Sequence, residues 1–356
     1  MSLKDHILQE LRQAGPMGVD RFMTLCLLHP RWGYYTCRDP LGARGDFTTA
    51  PEISQMFGEL IGLALAQSWM DQGAPSAFTL AELGPGRGTL MADILRATSA
   101  VPGFHDAAQV VLVERSPTLR TKQAQAVPQA DFADSTADLP ETPVFAVGNE
   151  FLDALPIRQF QRSGAGWAER LIGLDGDALR WGLGPVSNHP ALIHRLDDTR
   201  DGDVVELCPA MRDVLQPLGS RITRHGGAVL FVDYGDWRSL GDTFQAVQNH
   251  AVTDPLIQPG EADLTAHVDF EALAQIGQAS GLRASPMVPQ GVFLERLGIT
   301  ARAQALARHL TGTALQSHIA AHRRLTHPDE MGSLFKVIGL APMAAPLPPG
   351  LEPHES

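Results

Sequence analysis

Phe78-Thr79-Leu80-Ala81-Glu82-Leu83-Gly84-Pro85-Gly86-Arg87-Gly88-Thr89-Leu90 decides the fold. An apolar run of strand length ends in three alternate glycines and passes directly into helix-forming sequence. Glycines at 84 and 86 permit a tight turn and a close backbone approach, because a Cβ there would collide with a ligand lying across the strand end. That context is the first strand–turn–helix unit of a nucleotide-binding sheet.

Working outward, apolar runs at Val110–Glu114, Val144–Asn149 and Ala228–Asp233 alternate with helical stretches. Such alternation predicts a doubly wound, mostly parallel α/β sheet. Late runs at Leu282–Val288 and Leu334–Leu340 complete it to an expected seven strands. Arg158–Arg162, Trp167–Leu174 and Leu179–Leu183 read as an antiparallel insertion before a helix near Ala210–Leu218, and Arg302 to Leu325 as a helical one. Leu3, Ile7, Leu8 and Leu11 recur at helical spacing, a second helix covers Val19–Leu28, and Leu60–Met70 reads as a buried helix. The expected division is an N-terminal helical cap with a lid loop over 1–75, the sheet domain over 76–342 with insertions at about 156–200 and about 290–330, and a proline-rich, disordered tail over 343–356. Between Trp32 and Pro51, Gly and Pro interrupt any regular element, and a long loop of this kind inside a compact domain is usually functional.

Composition narrows the partners. The chain has 356 residues, with 28 Lys plus Arg against 40 Asp plus Glu, a net charge of −12. This balance argues against nucleic acid and favours a cationic partner. The three cysteines, Cys26, Cys37 and Cys208, lack CxxC spacing, so neither a disulfide framework nor a metal site is expected. The apolar run Leu60–Met70 is broken by Gln67 and Ser68 and falls short of the roughly 18 residues of a membrane span. The opening residues show neither signal nor transit character, so the expectation is a bacterial cytoplasmic protein, or the mitochondrial matrix if the source is eukaryotic.

The glycine spacing selects the ligand. A dinucleotide fingerprint needs Gly or Ala at position 89, which is Thr89. The observed acid-x-Gly-x-Gly-x-Gly, with Glu82, Gly84, Gly86 and Gly88, is similar to the first motif of class I methyltransferases. Glu82 suits a cationic ligand, and S-adenosylmethionine carries a sulfonium and an ammonium. Glu114, ending the second strand, can accept from a ribose diol. Asp134, beside Ser135, is the candidate for the adenine amino group.

Beyond the fourth strand, Asn149-Glu150-Phe151-Leu152-Asp153 stands where such sheets present target-facing groups. Glu150 and Asp153 are three apart, so a helix starting here would put them on one face, where two carboxylates could clamp a guanidinium. The bland alternative is that Asp153 caps that helix and Glu150 pairs with a basic residue. His267 is a candidate general base.

With these residues in view, the chain resembles the MidA-like family. The likeness runs through Gly33-Tyr34-Tyr35, Gly45 to Glu59, Glu82 to Gly88, Glu114-Arg115-Ser116-Pro117, Asn149 to Pro156 and Leu264-Thr265-Ala266-His267-Val268-Asp269-Phe270. The resemblance implies a class I S-adenosylmethionine-dependent methyltransferase. For the family's mitochondrial members it implies symmetric dimethylation of an arginine on a 49-kDa-type subunit of respiratory complex I during its assembly. It further implies that Thr49, Pro51, Glu52 and Ser54 form a lid near cofactor and target. A small-molecule methyltransferase and a non-catalytic assembly scaffold remain open beside it.

Overall fold

The computed structural model describes residues 2–37, 48–248 and 250–352. Part of the loop read between Trp32 and Pro51 therefore lies outside the described residues. The main sheet is built from β1 (Phe78–Leu83), β2 (Ala108–Val113), β3 (Asp131–Ala133), β4 (Val144–Asn149), β5 (Gly227–Asp236), β6 (Leu282–Ala284) and β7 (Phe335–Pro342). Their spatial order is β6-β7-β5-β4-β1-β2-β3. From β5 to β3 every neighbour is parallel, whereas β7 runs antiparallel to both β5 and β6. The order reverses between β1 and β4, which opens a crevice at their carboxyl ends.

Nine strands, rather than the expected seven, make up this sheet among the described residues. The cause is overrun. β5 continues past its pairing with β4, and Val268–Asp269 takes up the free edge at Gly235 and Asp236. Val288–Pro289 does the same for β7.

Every residue of β1 and β4 is buried, as a parallel sheet covered on both faces requires. Alternate side chains divide between two layers. Phe78, Leu80, Phe145, Val147, Leu230 and Val232 pack with the helices Gln55–Asp71 and Thr89–Thr98. Ala81, Leu83, Ala146, Val229 and Phe231 pack with the helices Pro209–His225 and Phe270–Ala279. Gln55–Asp71, expected in the cap, is thus part of the central core.

The helices Leu3–Ala14 and Val19–Leu28 bury their apolar faces elsewhere. Their apolar faces meet Ile157, Ile172, Phe244 and Leu264 in a separate cluster. The first insertion is a five-stranded antiparallel sheet, which Met17–Gly18 joins by pairing with Leu171 and Ile172. A smaller sheet of Gln245–Gln248, Ala251–Thr253 and Asp263–Thr265 follows. The second insertion contributes the helices Gln290–Arg296, Ile299–Ala307 and Gly312–Thr326. Glu59 ties it down: its buried carboxylate accepts from Arg302 Nε and Nη2 (2.8 and 3.0 Å), Arg96 Nη1 (3.2 Å) and Gln55 Nε2 (3.1 Å).

The tail expected to be disordered is packed as far as Glu352. Leu347 and Leu351 are buried, and Arg283 and Arg296 hold the carbonyls of Ala345 and Gly350 at 2.8 and 3.0 Å. Pro348 is buried with them, which a composition-based reading cannot distinguish from disorder.

Helices Gln55–Asp71 and Thr89–Thr98 approach closely through two glycines. A Cβ on Gly62 would lie 2.9 Å from Ile94 Cα, and one on Gly58 2.6 Å from Asp93 Cβ. Because backbone must give way, Gly62→Val is expected to cost about 1–3 kcal/mol of stability, read as a lower urea midpoint at unchanged slope.

Candidate functional site

The glycine-rich turn holds the backbone conformation its sequence requires. Gly84, Gly86 and Gly88 have φ of 63°, 53° and 83°, which side chains other than glycine's adopt only under strain. A Cβ on Gly84 would also meet Phe151 Cδ2 at 2.7 Å. Gly88 then opens the helix Thr89–Thr98, whose free N–H groups face the turn.

Glu82 lies just beneath. It is buried, one carboxylate oxygen has no partner, and burial pushes its pKa up to about 8, against an N–H donated by Met91. An acceptor left bare in this position fits a cation. On the neighbouring strand, Glu114 accepts from Ser116 N (2.7 Å) and Gln123 Nε2 (3.1 Å), and burial raises its pKa too. Each oxygen keeps a lone pair for a hydroxyl. Gln123 is fully buried, and its Nε2 also donates to Gly86 O at 2.8 Å, so one side chain sets the distance between turn and acid.

Leu83 stands opposite Gly148 in the β1–β4 pairing, which brings the ends of these strands to one level. No helix starts at Glu150, contrary to the expectation; the chain turns instead. The reason is Asp233 at the end of β5. Its Oδ2 accepts the consecutive N–H groups of Phe151 (3.1 Å), Leu152 (2.9 Å) and Asp153 (3.3 Å), while Oδ1 accepts from Tyr234 N (3.0 Å). Glu150 has φ 50°, a strained backbone of the kind found at functional sites.

The turn still brings the two predicted acids together with Asn149. Glu150 Oε1 accepts from Ala50 N (3.1 Å) and Asn149 Nδ2 (3.2 Å). Asp153 Oδ2 accepts from the Tyr234 hydroxyl (2.7 Å), leaving Asp153 Oδ1 and Asn149 Oδ1 buried without partners. Burial, then the neighbouring charge of Asp153, raises Glu150 to about 7; burial raises Asp153 to about 6. Asp233 is pushed up by burial and by both neighbours. Its oxygens face only N–H donors, however, so within the trio the shared proton belongs on Glu150 or Asp153. Three acids in one buried place favour a bound cation over three charges.

His267 stands at the rim, its ring centroid 5.5 Å from that of Tyr234. Partial burial, followed by the charge of Lys336, lowers its pKa. Of the lid residues, Glu52 accepts from the Thr89 hydroxyl at 2.5 Å and so touches the glycine turn's helix. Thr49 begins the short helix Ala50–Ile53, Pro51 is buried in its first turn, and Ser54 Oγ caps Gln55–Asp71 through Met56 N (3.2 Å). Asp134 is not drawn in: its exposed carboxylate holds Arg120 Nη2 at 2.6 Å. Sequence reasoning gave Asp233, Tyr234 and Gln123 no role; a polar Asp-Tyr-Gly directly after a buried strand was the available signal for the first two. Among the described residues no metal-ligating cluster occurs.

Residues 60–288 match a family model described as "Putative S-adenosyl-L-methionine-dependent methyltransferase". The chain is 36% identical to the protein arginine methyltransferase NDUFAF7, mitochondrial, of Xenopus laevis, over 96% of this chain and 84% of that one. The protein of the same name from Homo sapiens is also 36% identical, over 95% and 82%. A crystal structure of a Burkholderia thailandensis protein bound to S-adenosyl-homocysteine superposes with a TM-score of 0.82 at 28% identity, covering 99% of this chain and 92% of that one.

The raised pKa of Glu82 sets a pH dependence. Between about 4.5 and about 8 the folded chain holds a proton that the unfolded chain has released, so stability falls as pH rises through that window. Glu82→Gln, neutral throughout, removes this loss. Its thermal midpoint relative to the parent should climb from pH 4.5 to 8 and stay level below; a flat difference in scanning calorimetry would show that Glu82 does not titrate there.

Proposed function

The chain belongs to the S-adenosyl-L-methionine-dependent methyltransferase family, and from that premise we propose that it methylates an arginine side chain of a protein. The observation that carries this reading is the buried acid cluster of Glu150, Asp153 and Asp233, with acceptor atoms on Asp153 and Asn149 still open. A guanidinium is planar, permanently charged and rich in donors, which suits two carboxylates set at a turn. The relatives' name, protein arginine methyltransferase, points the same way.

S-adenosylmethionine, when bound, supplies a methyl group on a positively charged sulfur. Gly84, Gly86 and Gly88 would allow its close approach, Glu82 would face its charge, Glu114 would receive its ribose, and Thr49, Pro51, Glu52 and Ser54 would cover it. Glu150 and Asp153 hold the target guanidinium so that one nitrogen keeps its lone pair in line with the methyl carbon. Tyr234 fixes the rotamer of Asp153 through its hydroxyl. As the carbon–sulfur bond breaks with its electron pair left on sulfur, the new C–N bond would leave the nitrogen with a proton to lose, which His267 or ionised Glu150 would take. By the resemblance given above, the target is a 49-kDa-type subunit of respiratory complex I. The compartment is the bacterial cytoplasm or, as for the relatives named mitochondrial, the mitochondrial matrix.

Incubating the protein with S-adenosylmethionine and that subunit should add mass in 14-dalton steps to an arginine. Glu150→Gln and Asp153→Asn are expected to keep S-adenosylhomocysteine affinity within about threefold while losing on the order of a hundredfold or more in transfer. Gly86→Val should abolish cofactor binding in calorimetric titration yet leave the unfolding midpoint within a few degrees. Full transfer by both acid variants would refute the clamp, and cofactor binding without arginine methylation would redirect the search to a small-molecule acceptor.

A further inference from the structure

Outside the acid cluster, Glu206 is a buried carboxylate with no part in the chemistry described so far. Glu206 belongs to the inserted sheet, in the strand Val204–Leu207, and is 3% exposed. Burying a charge this completely is costly unless donors surround it. Three do: Gln159 Nε2 at 2.7 Å, Thr243 N at 3.0 Å and the Thr243 hydroxyl at a short distance. Its own N–H is held by Ser239 Oγ at 3.0 Å, and Ser239 N in turn donates to Asp269 at 3.0 Å.

The direction of these bonds matters. Burial pushes the Glu206 pKa up, against the pull of its Thr243 and Gln159 donors; in its ionised form the carboxylate only accepts, so the single hydroxyl proton of Thr243 points at Glu206. Its lone pairs are then turned away from Glu206, and one of them accepts the backbone N–H of His267 at 2.8 Å. The adjoining N–H, of Ala266, donates to the carbonyl of Asp153 at 3.0 Å. Two successive amides of the loop Thr265-Ala266-His267 thus tie the inserted sheet at one end to the acid turn at the other. The His267 side chain leaves from the same residue and stands beside Tyr234, the hydroxyl partner of Asp153.

We propose that Thr243 and Glu206 are positioning residues for the transfer: together they orient the loop that presents His267 and braces Asp153, making the inserted antiparallel sheet a working wall of the active site. Gln159 completes the arrangement by bridging Glu206 and Asp242 Oδ1 at 2.7 Å each. Through the reaction it serves, the inference rests on the arginine-methylation reading; the strut itself does not.

Thr243→Val keeps the shape of the side chain and removes its hydrogen bonds, while Thr243→Ser keeps both the donor and the acceptor. Hydrogen exchange, read by mass spectrometry over residues 263–269, should rise about tenfold or more in Thr243→Val and stay within about twofold of the parent in Thr243→Ser. S-adenosylhomocysteine affinity should remain within about threefold in both, since neither substitution touches the glycine turn. With the complex I subunit as acceptor, kcat of Thr243→Val should fall about ten- to a hundredfold at unchanged KM for S-adenosylmethionine, with Thr243→Ser restoring it. Parental exchange in Thr243→Val, parental kcat in that variant, or a Thr243→Ser as slow as Thr243→Val would each overturn the proposal. If the parent methylates nothing on the subunit, the arginine reading fails, and the exchange comparison still decides whether the strut exists.

Discussion

Three amide groups converging on one oxygen of Asp233 hold the centre of this molecule together. The chain leaving β4 has no helix or strand to enter at residues 151–153, so its N–H groups need another acceptor. Asp233 supplies it from the end of the neighbouring strand, which makes the shape of the acid turn a property of the sheet. The strained backbone of Glu150, the hydroxyl contact of Tyr234 and the bare oxygen of Asp153 all follow from that capture. Because Asp233 is fully occupied by donors, the charge remaining to be neutralised falls on the two carboxyls that face the crevice.

How much of this could be read from sequence depended on the range of the interaction. β1 and β4 were legible residue for residue, since a buried parallel strand writes a continuous apolar run. The glycine turn, Glu82 and Glu114 were legible because their spacing is local and chemically specific. Glu150 and Asp153 were found as a pair, but for a geometric reason that does not hold: the expected helix is absent, and the acids are joined by a residue eighty positions away. Gln123 was invisible for the same cause, as nothing near it reveals that its amide bridges Gly86 and Glu114. The proline-rich tail failed in the opposite direction, composition concealing that Leu347 and Leu351 are buried.

Buried polar devices fix both insertions, and the helical one also shares the central core through Phe293, Leu294, Ile299 and Ala303. Glu59, buried among Arg302, Arg96 and Gln55, joins the helical insertion to the sheet's covering helices. Glu206 performs the comparable task for the inserted sheet. A buried carboxylate tolerates only the arrangement that supplies its donors, so each attachment has one orientation, where an apolar contact would permit sliding.

The N-terminal helices have a consequence for how the chain is made. Their apolar faces close on Tyr34 nearby in sequence and on Ile157, Ile172, Phe244 and Leu264 far along it. During synthesis, Leu3–Leu28 waits for segments roughly 240 residues later, about ten to fifty seconds at ordinary elongation speed. Throughout that interval the two amphipathic helices lack most of their covering, and the central sheet, whose strands begin at Phe78, is itself unfinished until β7 is made. Docking of these helices therefore follows synthesis of the distant segments that cover them.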